Sequence, residues 1–132
     1  MSHTLNMDFE YSTTVEKLWS ALTDAEKLAK WTLKNDFMPI VGHQFTFRDE
    51  PSEWWDGIVT GEVLAVDPPT RLSYTWGTGD ERHTVVWTLN DLGNGKVNLH
   101  LEQSGISSQQ ALGGAKYGWQ GWTEKLETLL QE

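Results

Sequence analysis

The spacing of apolar side chains changes period in a definite order along this chain, and that order leaves few architectures open. Leu5, Met7, Phe9 and Tyr11 alternate with Asn6, Asp8 and Glu10, the pattern of a half-buried strand. Thr13 followed by Glu16 reads as a capping box that opens a helix, with Val15, Leu18, Trp19 and Leu22 on one face. A second such pair, Thr23 and Glu26, predicts another short helix with Leu28 and Trp31 inward. Beyond the break at Pro39 to Gly42 the period returns to two. Phe45 and Phe47 alternate first, and Ile58 to Val66 forms a longer run with Gly61 inside it and apolar residues on both faces. Leu72, Tyr74 and Trp76 come next, then Val85, Trp87 and Leu89, then Val97, Leu99 and Leu101. Asp67-Pro68-Pro69 enforces a turn, because two prolines cannot continue a ladder, and Gly77 to Gly79 and Gly93-Asn94-Gly95 read as hairpin turns. The last quarter steps by three and four through Leu112, Ala115, Trp119, Trp122, Leu126 and Leu129, which predicts one helix over about 108 to 130. The expectation is an α+β fold: six antiparallel strands, two short helices after the first strand, and a long C-terminal helix. No linker-like break or internal repeat interrupts it, so residues 1–132 are expected to form a single domain.

Charge and motif content narrow the function classes. Nineteen acidic against ten basic residues give a formal net charge of −9, with no basic run. That balance repels phosphates and anionic lipid, so neither nucleic acid nor membrane insertion is expected. The absence of cysteine removes disulfides and thiolate metal sites. Met1-Ser2-His3-Thr4 lacks the basic and apolar regions of a signal peptide, and a cytoplasmic location is expected. His3, His43, His83 and His100 lie on separate elements with no metal-ligand spacing, and no Gly-x-Ser-x-Gly elbow is present. Gly77-x-Gly79 lacks the third glycine of a dinucleotide loop, and Asp80, Glu81 and Arg82 beside it read as a solvated turn. No catalytic set, metal or cofactor is therefore expected, and the reading leans away from an enzyme.

What the sequence does offer is aromatic surface. Eight tryptophans are many for 132 residues. Strand parity turns Phe45, Phe47, Tyr74, Trp76, His83 and Trp87 toward the C-terminal helix, from which Trp119 and Trp122 face back. These residues are either simply the core or the lining of an apolar pocket. Gly118 lies within the helix stripe and Gly114 and Gly121 flank it, where each glycine costs roughly 0.5–1 kcal/mol of helix stability relative to alanine. They permit close packing against the sheet, or they leave room for a ligand. His83 is the one inward histidine, either a satisfied core residue or a group that orients a ligand. Trp54 and Trp55 stand in a polar loop and are expected to form a rim or gate, or to pack on a neighbouring loop. Trp122 is expected in the core, with Trp122→Ala costing about 3–5 kcal/mol.

Three separated segments carry a resemblance. The run Thr14 to Trp31 (TVEKLWSALTDAEKLAKW), the run Gly61 to Trp76 (GEVLAVDPPTRLSYTW) and the closing Gly121 to Leu126 (GWTEKL) resemble the activator-of-Hsp90-ATPase-like branch of the START and Bet v 1 (SRPBCC) superfamily. The resemblance implies a helix-grip architecture, a curved antiparallel sheet holding a long C-terminal helix with a cavity between them. It implies three function classes. The first is binding of a small hydrophobic, planar aromatic or lipid-like ligand by Phe45, Phe47, Tyr74, Trp76, His83, Trp87, Gly118, Trp119 and Trp122. On that reading a flavonoid-like molecule of about twenty heavy atoms binds at micromolar to tens-of-micromolar concentration. The second is a cyclase- or hydrolase-type enzyme using His83 or Tyr74 as acid or base, for which parity supplies no clear polar partner. The third is a co-chaperone-like domain with a protein partner.

Overall fold

The computed structural model describes residues 2–51, 53, 57–78 and 81–131. Trp54, Trp55, Gly79 and Asp80 lie outside the described residues, and with them the reading of a tryptophan rim or gate. In chain order the elements are β1 (His3–Ser12), α1 (Val15–Thr23), α2 (Ala25–Trp31), β2 (Lys34–Asn35), β3 (Gln44–Arg48), β4 (Ile58–Asp67), β5 (Arg71–Thr78), β6 (Glu81–Gly93), β7 (Lys96–Ile106) and α3 (Gln109–Leu130). The strands form one antiparallel sheet in the order β1-β7-β6-β5-β4-β3-β2, and α3 packs on β1 and β7 with α1 and α2 against it. This is the helix-grip arrangement, with seven strands rather than six. The added β2 pairs Lys34 with Arg48 and Asn35 with Phe47, and two residues are too few to show a period.

Both helix starts fall one residue beyond the predicted capping boxes. Thr14, not Thr13, caps α1 by accepting a hydrogen bond from the Lys17 amide at 3.1 Å. Thr23 closes α1, donating to the Trp19 carbonyl, while Asp24 precedes α2 with no side-chain cap bond. Adjacent threonines, or threonine beside aspartate, offer the backbone two capping oxygens, and the spacing to glutamate alone does not choose between them.

The mixed apolar pattern of β4 has a local cause. Val63 pairs with Tyr74 and Ala65 with Ser73, so Leu64 is the extra residue of a bulge. The bulge changes which face the rest of the strand presents: Val63 is fully buried, Leu64 is exposed, and Val66 returns opposite Leu72. Earlier in the same strand Gly61 is required sterically. A Cβ there would run into the Thr75 carbonyl and the Phe45 ring, which lies across the strand.

The core beneath α3 is a network of aromatic rings. Phe37, Phe45 and Tyr74 meet edge to face at centroid separations of 5.2–5.7 Å. Phe45 and Phe47 carry the contact to Trp76, which meets Trp119 at 5.5 Å, and Trp119 meets Trp87 at 5.2 Å. Trp31 of α2 closes the network against Trp87, its indole N–H held by the Ala21 carbonyl at 2.9 Å. Such offset and edge contacts add about 0.5–1.5 kcal/mol per pair beyond area burial. Trp122 differs from the expectation: it is only half-buried, at the end of this network, so its truncation should cost less than a full core deletion.

Candidate functional site

Where the helix crosses the sheet, the rings do not quite fill the space. Trp76, Gln103, Ala115, Gly118, Trp119 and Trp122 enclose a cavity of about 130 Å³. Strand β5 supplies Trp76, β7 supplies Gln103, and the remaining four lie on successive turns of α3. Of the helix glycines, Gly118 lines this space and leaves it open. A Cβ built on Gly114, Gly118 or Gly121 meets no atom within 4 Å outside its own helix, so these residues are not there for close packing. Gly118 is itself exposed, and the cavity reaches the surface beside it.

Of the residues expected to line a pocket, Trp76, Gly118, Trp119 and Trp122 meet at this cavity. Phe45, Phe47, Tyr74 and Trp87 stand deeper, in ring-to-ring contact, and are not among its lining residues. The Tyr74 hydroxyl accepts the Trp87 indole N–H at 2.7 Å, and burial pushes its phenol well above the ordinary value. A phenol so placed does not ionise at neutral pH. His83 is buried one side chain behind the cavity, and acid–base work there would have to pass through Gln103.

Gln103, like Ala115, is a lining residue absent from the sequence-based expectation. It is 2% exposed and sits two positions beyond Leu101, on the inward parity of Val97, Leu99 and Leu101, which is the signal that could have found it. It joins a chain of hydrogen bonds whose directions are set by one fixed donor. An indole can only donate, so Trp119 Nε1 gives its proton to Gln103 Oε1 at 2.7 Å. The amide nitrogen of Gln103 therefore faces His83 Nδ1, at 2.6 Å, and donates to it. Nδ1 being an acceptor, the ring carries its proton on Nε2, which donates to Glu81 Oε1 at 3.1 Å. The same carboxylate oxygen accepts the Ser107 amide at 3.1 Å. Bonds from Ser107, and secondarily from His83, hold the Glu81 carboxyl below its ordinary value, so it is ionised at neutral pH.

The other histidines lie apart from this site. His100 bonds Asp8 at 2.9 Å on the outer face of the sheet, and His43 bonds the Asp36 carbonyl. Among the described residues no group of three or more His, Asp or Glu side chains could hold a metal ion, and no helix is long and apolar enough to cross a membrane.

The comparisons agree with the fold. The model of a family described as Activator of Hsp90 ATPase homolog 1-like protein matches residues 12–131. Protein MLL2253 from Mesorhizobium loti is 41% identical, with a TM-score of 0.89 over 98% of this chain and 97% of that one. CalU16 from Micromonospora echinospora is 22% identical, with a TM-score of 0.82 over 98% of this chain and 76% of that one. An Hsp90 activator from Plasmodium falciparum is 21% identical, with a TM-score of 0.81 over 97% of this chain and 96% of that one. The last two share the fold alone. No protein of curated function matches the chain in sequence.

Proposed function

The chain belongs to the Activator of Hsp90 ATPase homolog 1-like family, and from that premise we propose that it binds a small apolar ring in the cavity under the glycine-rich part of α3. The observation that carries this is the conjunction of three tryptophans with open space beside Gly118. The volume sets the size. An apolar cavity of about 150 Å³ holds one benzene, whereas drug-sized ligands occupy about 300–1,000 Å³. At about 130 Å³ the site suits one ring; the second ring of a fused pair such as indole extends through the opening beside Gly118, and a flavonoid-like molecule enters only if α3 shifts outward. Gln103 gives the site polarity. Its bonds to His83 and Trp119 use one N–H and one oxygen lone pair of the two each that an amide carries, leaving a donor and an acceptor for a ligand heteroatom.

Indole is the test probe, being planar, small and able to donate. Titration should quench tryptophan fluorescence with Kd of roughly 0.1–1 mM. Gly118→Leu, which places an isobutyl group in the open space, should weaken binding at least about tenfold with the fold intact. No binding below about 10 mM, or equal binding by Gly118→Leu, overturns the reading.

A second reading, docking of a protein partner, is favoured by a separate feature. Met38, Ile40, Val41 and Leu64 are all exposed large apolar residues, and the loop carrying the first three lies against β4 through the Gly42 amide and the Val63 carbonyl. On that reading binding is lost on making these residues polar and is indifferent to Gly118→Leu.

A further inference from the structure

The hydrogen-bonded chain from Glu81 to Trp119 has a property that no single member of it has. Every bond direction is set by the indole at one end, and the result leaves His83 with its one free lone pair, at Nδ1, already occupied by Gln103. A proton taken up by this ring must go to that lone pair. It would then set an N–H against the Gln103 amide hydrogens. Turning the amide over to offer its oxygen to His83 relieves that clash and creates another, because the Trp119 N–H then faces the amide nitrogen. The two donors then compete for the one amide oxygen, so uptake of a proton by His83 weakens the Trp119 bond.

We infer that Glu81, His83, Gln103 and Trp119 form a proton-controlled latch on the cavity, closed with His83 neutral and released when it is protonated. Released, Trp119 loses the polar bond that ties the middle of α3 to β7. The next residues toward the N-terminus of the helix have nothing comparable to hold them. Gln109, Gln110, Gly113, Gly114, Lys116, Tyr117 and Gly118 are exposed, and Ala111, Leu112 and Ala115 are only half-buried. Two of the six cavity-lining residues, Trp119 and Gln103, are members of the latch, so its release changes the cavity directly.

The surroundings of His83 decide whether the proton has a counterweight. On its own strand the Glu81 carboxylate contacts the ring at 3.1 Å. From β7 the ring meets Gln103, and from β5 the register neighbour is Trp76, neither of them ionisable. Arg82 alternates to the outer face, where it lines a groove with Gln44, Thr60 and Glu62. The ring is buried. Histidine is the side chain that ordinarily changes charge between about pH 5 and 8. The ring thus stands between the Glu81 carboxylate at Nε2 and, at Nδ1, an amide whose direction Trp119 fixes.

As regulation of the cavity, this inference rests on the reading of that cavity as a ring-binding site. The latch is tested without any ligand, so its failure and the failure of indole binding are separate outcomes. The measurement is a series of ¹H–¹⁵N spectra of the full chain from about pH 8 to pH 5, with the Trp119 indole resonance assigned through Trp119→Phe. The indole N–H of Trp119 should move and exchange with water at least about tenfold faster as the His83 ring titrates, with one midpoint for both. His83→Gln keeps a donor and an acceptor but cannot titrate, and in it the Trp119 resonance should stay fixed. Gln103→Glu gives the opposite control. A carboxylate accepts from both the indole and a protonated Nδ1, so the Trp119 bond should survive acidification. Titration of His83 with Trp119 unmoved, no titration of His83 across this range, or an unchanged pH response in His83→Gln would each overturn the latch.

Discussion

The two halves of α3 share one helix and one stripe, yet they are held in different ways. From residue 119 to 130 the helix is fastened at several points. Leu126 is fully buried, and Trp119, Thr123 and Leu130 are nearly so. The Tyr11 hydroxyl donates to the Thr123 carbonyl at 3.2 Å, and burial pushes its phenol well above the ordinary value, so it stays a donor. Lys17 of α1 donates to the Leu130 carbonyl at 2.7 Å, satisfying one of the orphan acceptors that end the helix. From 109 to 118 there is the Ser108 cap, accepting from the Ala111 amide, and then no buried residue. The difference teaches how one helix can both complete a core and border a cavity. The second half supplies stability, which frees the first half to keep glycines that stability alone would not select.

The largest effect that tests this contrast is a matched pair of truncations. Leu126→Ala should lower the unfolding free energy by about 2–5 kcal/mol, as a fully buried leucine does. Leu112→Ala, the same change on the same stripe, should cost less than half of that. Chemical denaturation of the two variants measures both, and equal losses would mean that the halves are equally packed.

A smaller effect isolates one of the polar fastenings. Tyr11→Phe removes the bond to the Thr123 carbonyl while keeping the ring, which stacks with Phe9 at 6.4 Å. The carbonyl lies in mid-helix and keeps its helical partner, so no buried acceptor is orphaned. The expected loss is about 1 kcal/mol. Hydrogen exchange should quicken in the second half of α3 and stay unchanged in the first, which holds no buried residue. Acceleration confined to 109–118 would reverse the assignment of which half is anchored.

Most of this contrast is legible in the sequence, but not its consequence for the cavity. Period alone places the strands and α3, because burying one face forces alternation in a strand and a stripe on a helix. It misses β2, where two residues have no period, and it cannot see the bulge at Leu64, which requires knowing the partner strand. The tryptophans are legible as inward, yet inward is a direction and not a depth. Trp87 is fully buried while Trp122, on the same side of the grip, is half-buried at the cavity. How far interlocking rings fill a space depends on their rotamers, which no spacing encodes, and so parity overstates the room for a ligand. Gln103 is legible too, through a different rule. A polar residue at an inward strand position needs a buried partner, and here it has two, His83 and Trp119.

The smallest effect concerns the glycines themselves, and it has the opposite sign. Gly114 is exposed and a Cβ there meets nothing within 4 Å outside its own helix. Gly114→Ala therefore adds no clash, removes conformational freedom from the unfolded chain and supplies the best helix former. It should raise the unfolding free energy by about 0.5–1 kcal/mol, a melting temperature higher by roughly 2–4 °C. The same substitution at Gly61 meets the Thr75 carbonyl and the Phe45 ring and should destabilise, which shows that the gain belongs to the site and not to alanine. Gly114→Ala should also sharpen the comparison between the halves, by slowing hydrogen exchange in 109–118 while leaving 119–130 as it was. A loss of stability on Gly114→Ala would mean that the first half of α3 uses its open face for packing after all. The contrast between a half that holds the core and a half that borders the cavity would then have to be given up.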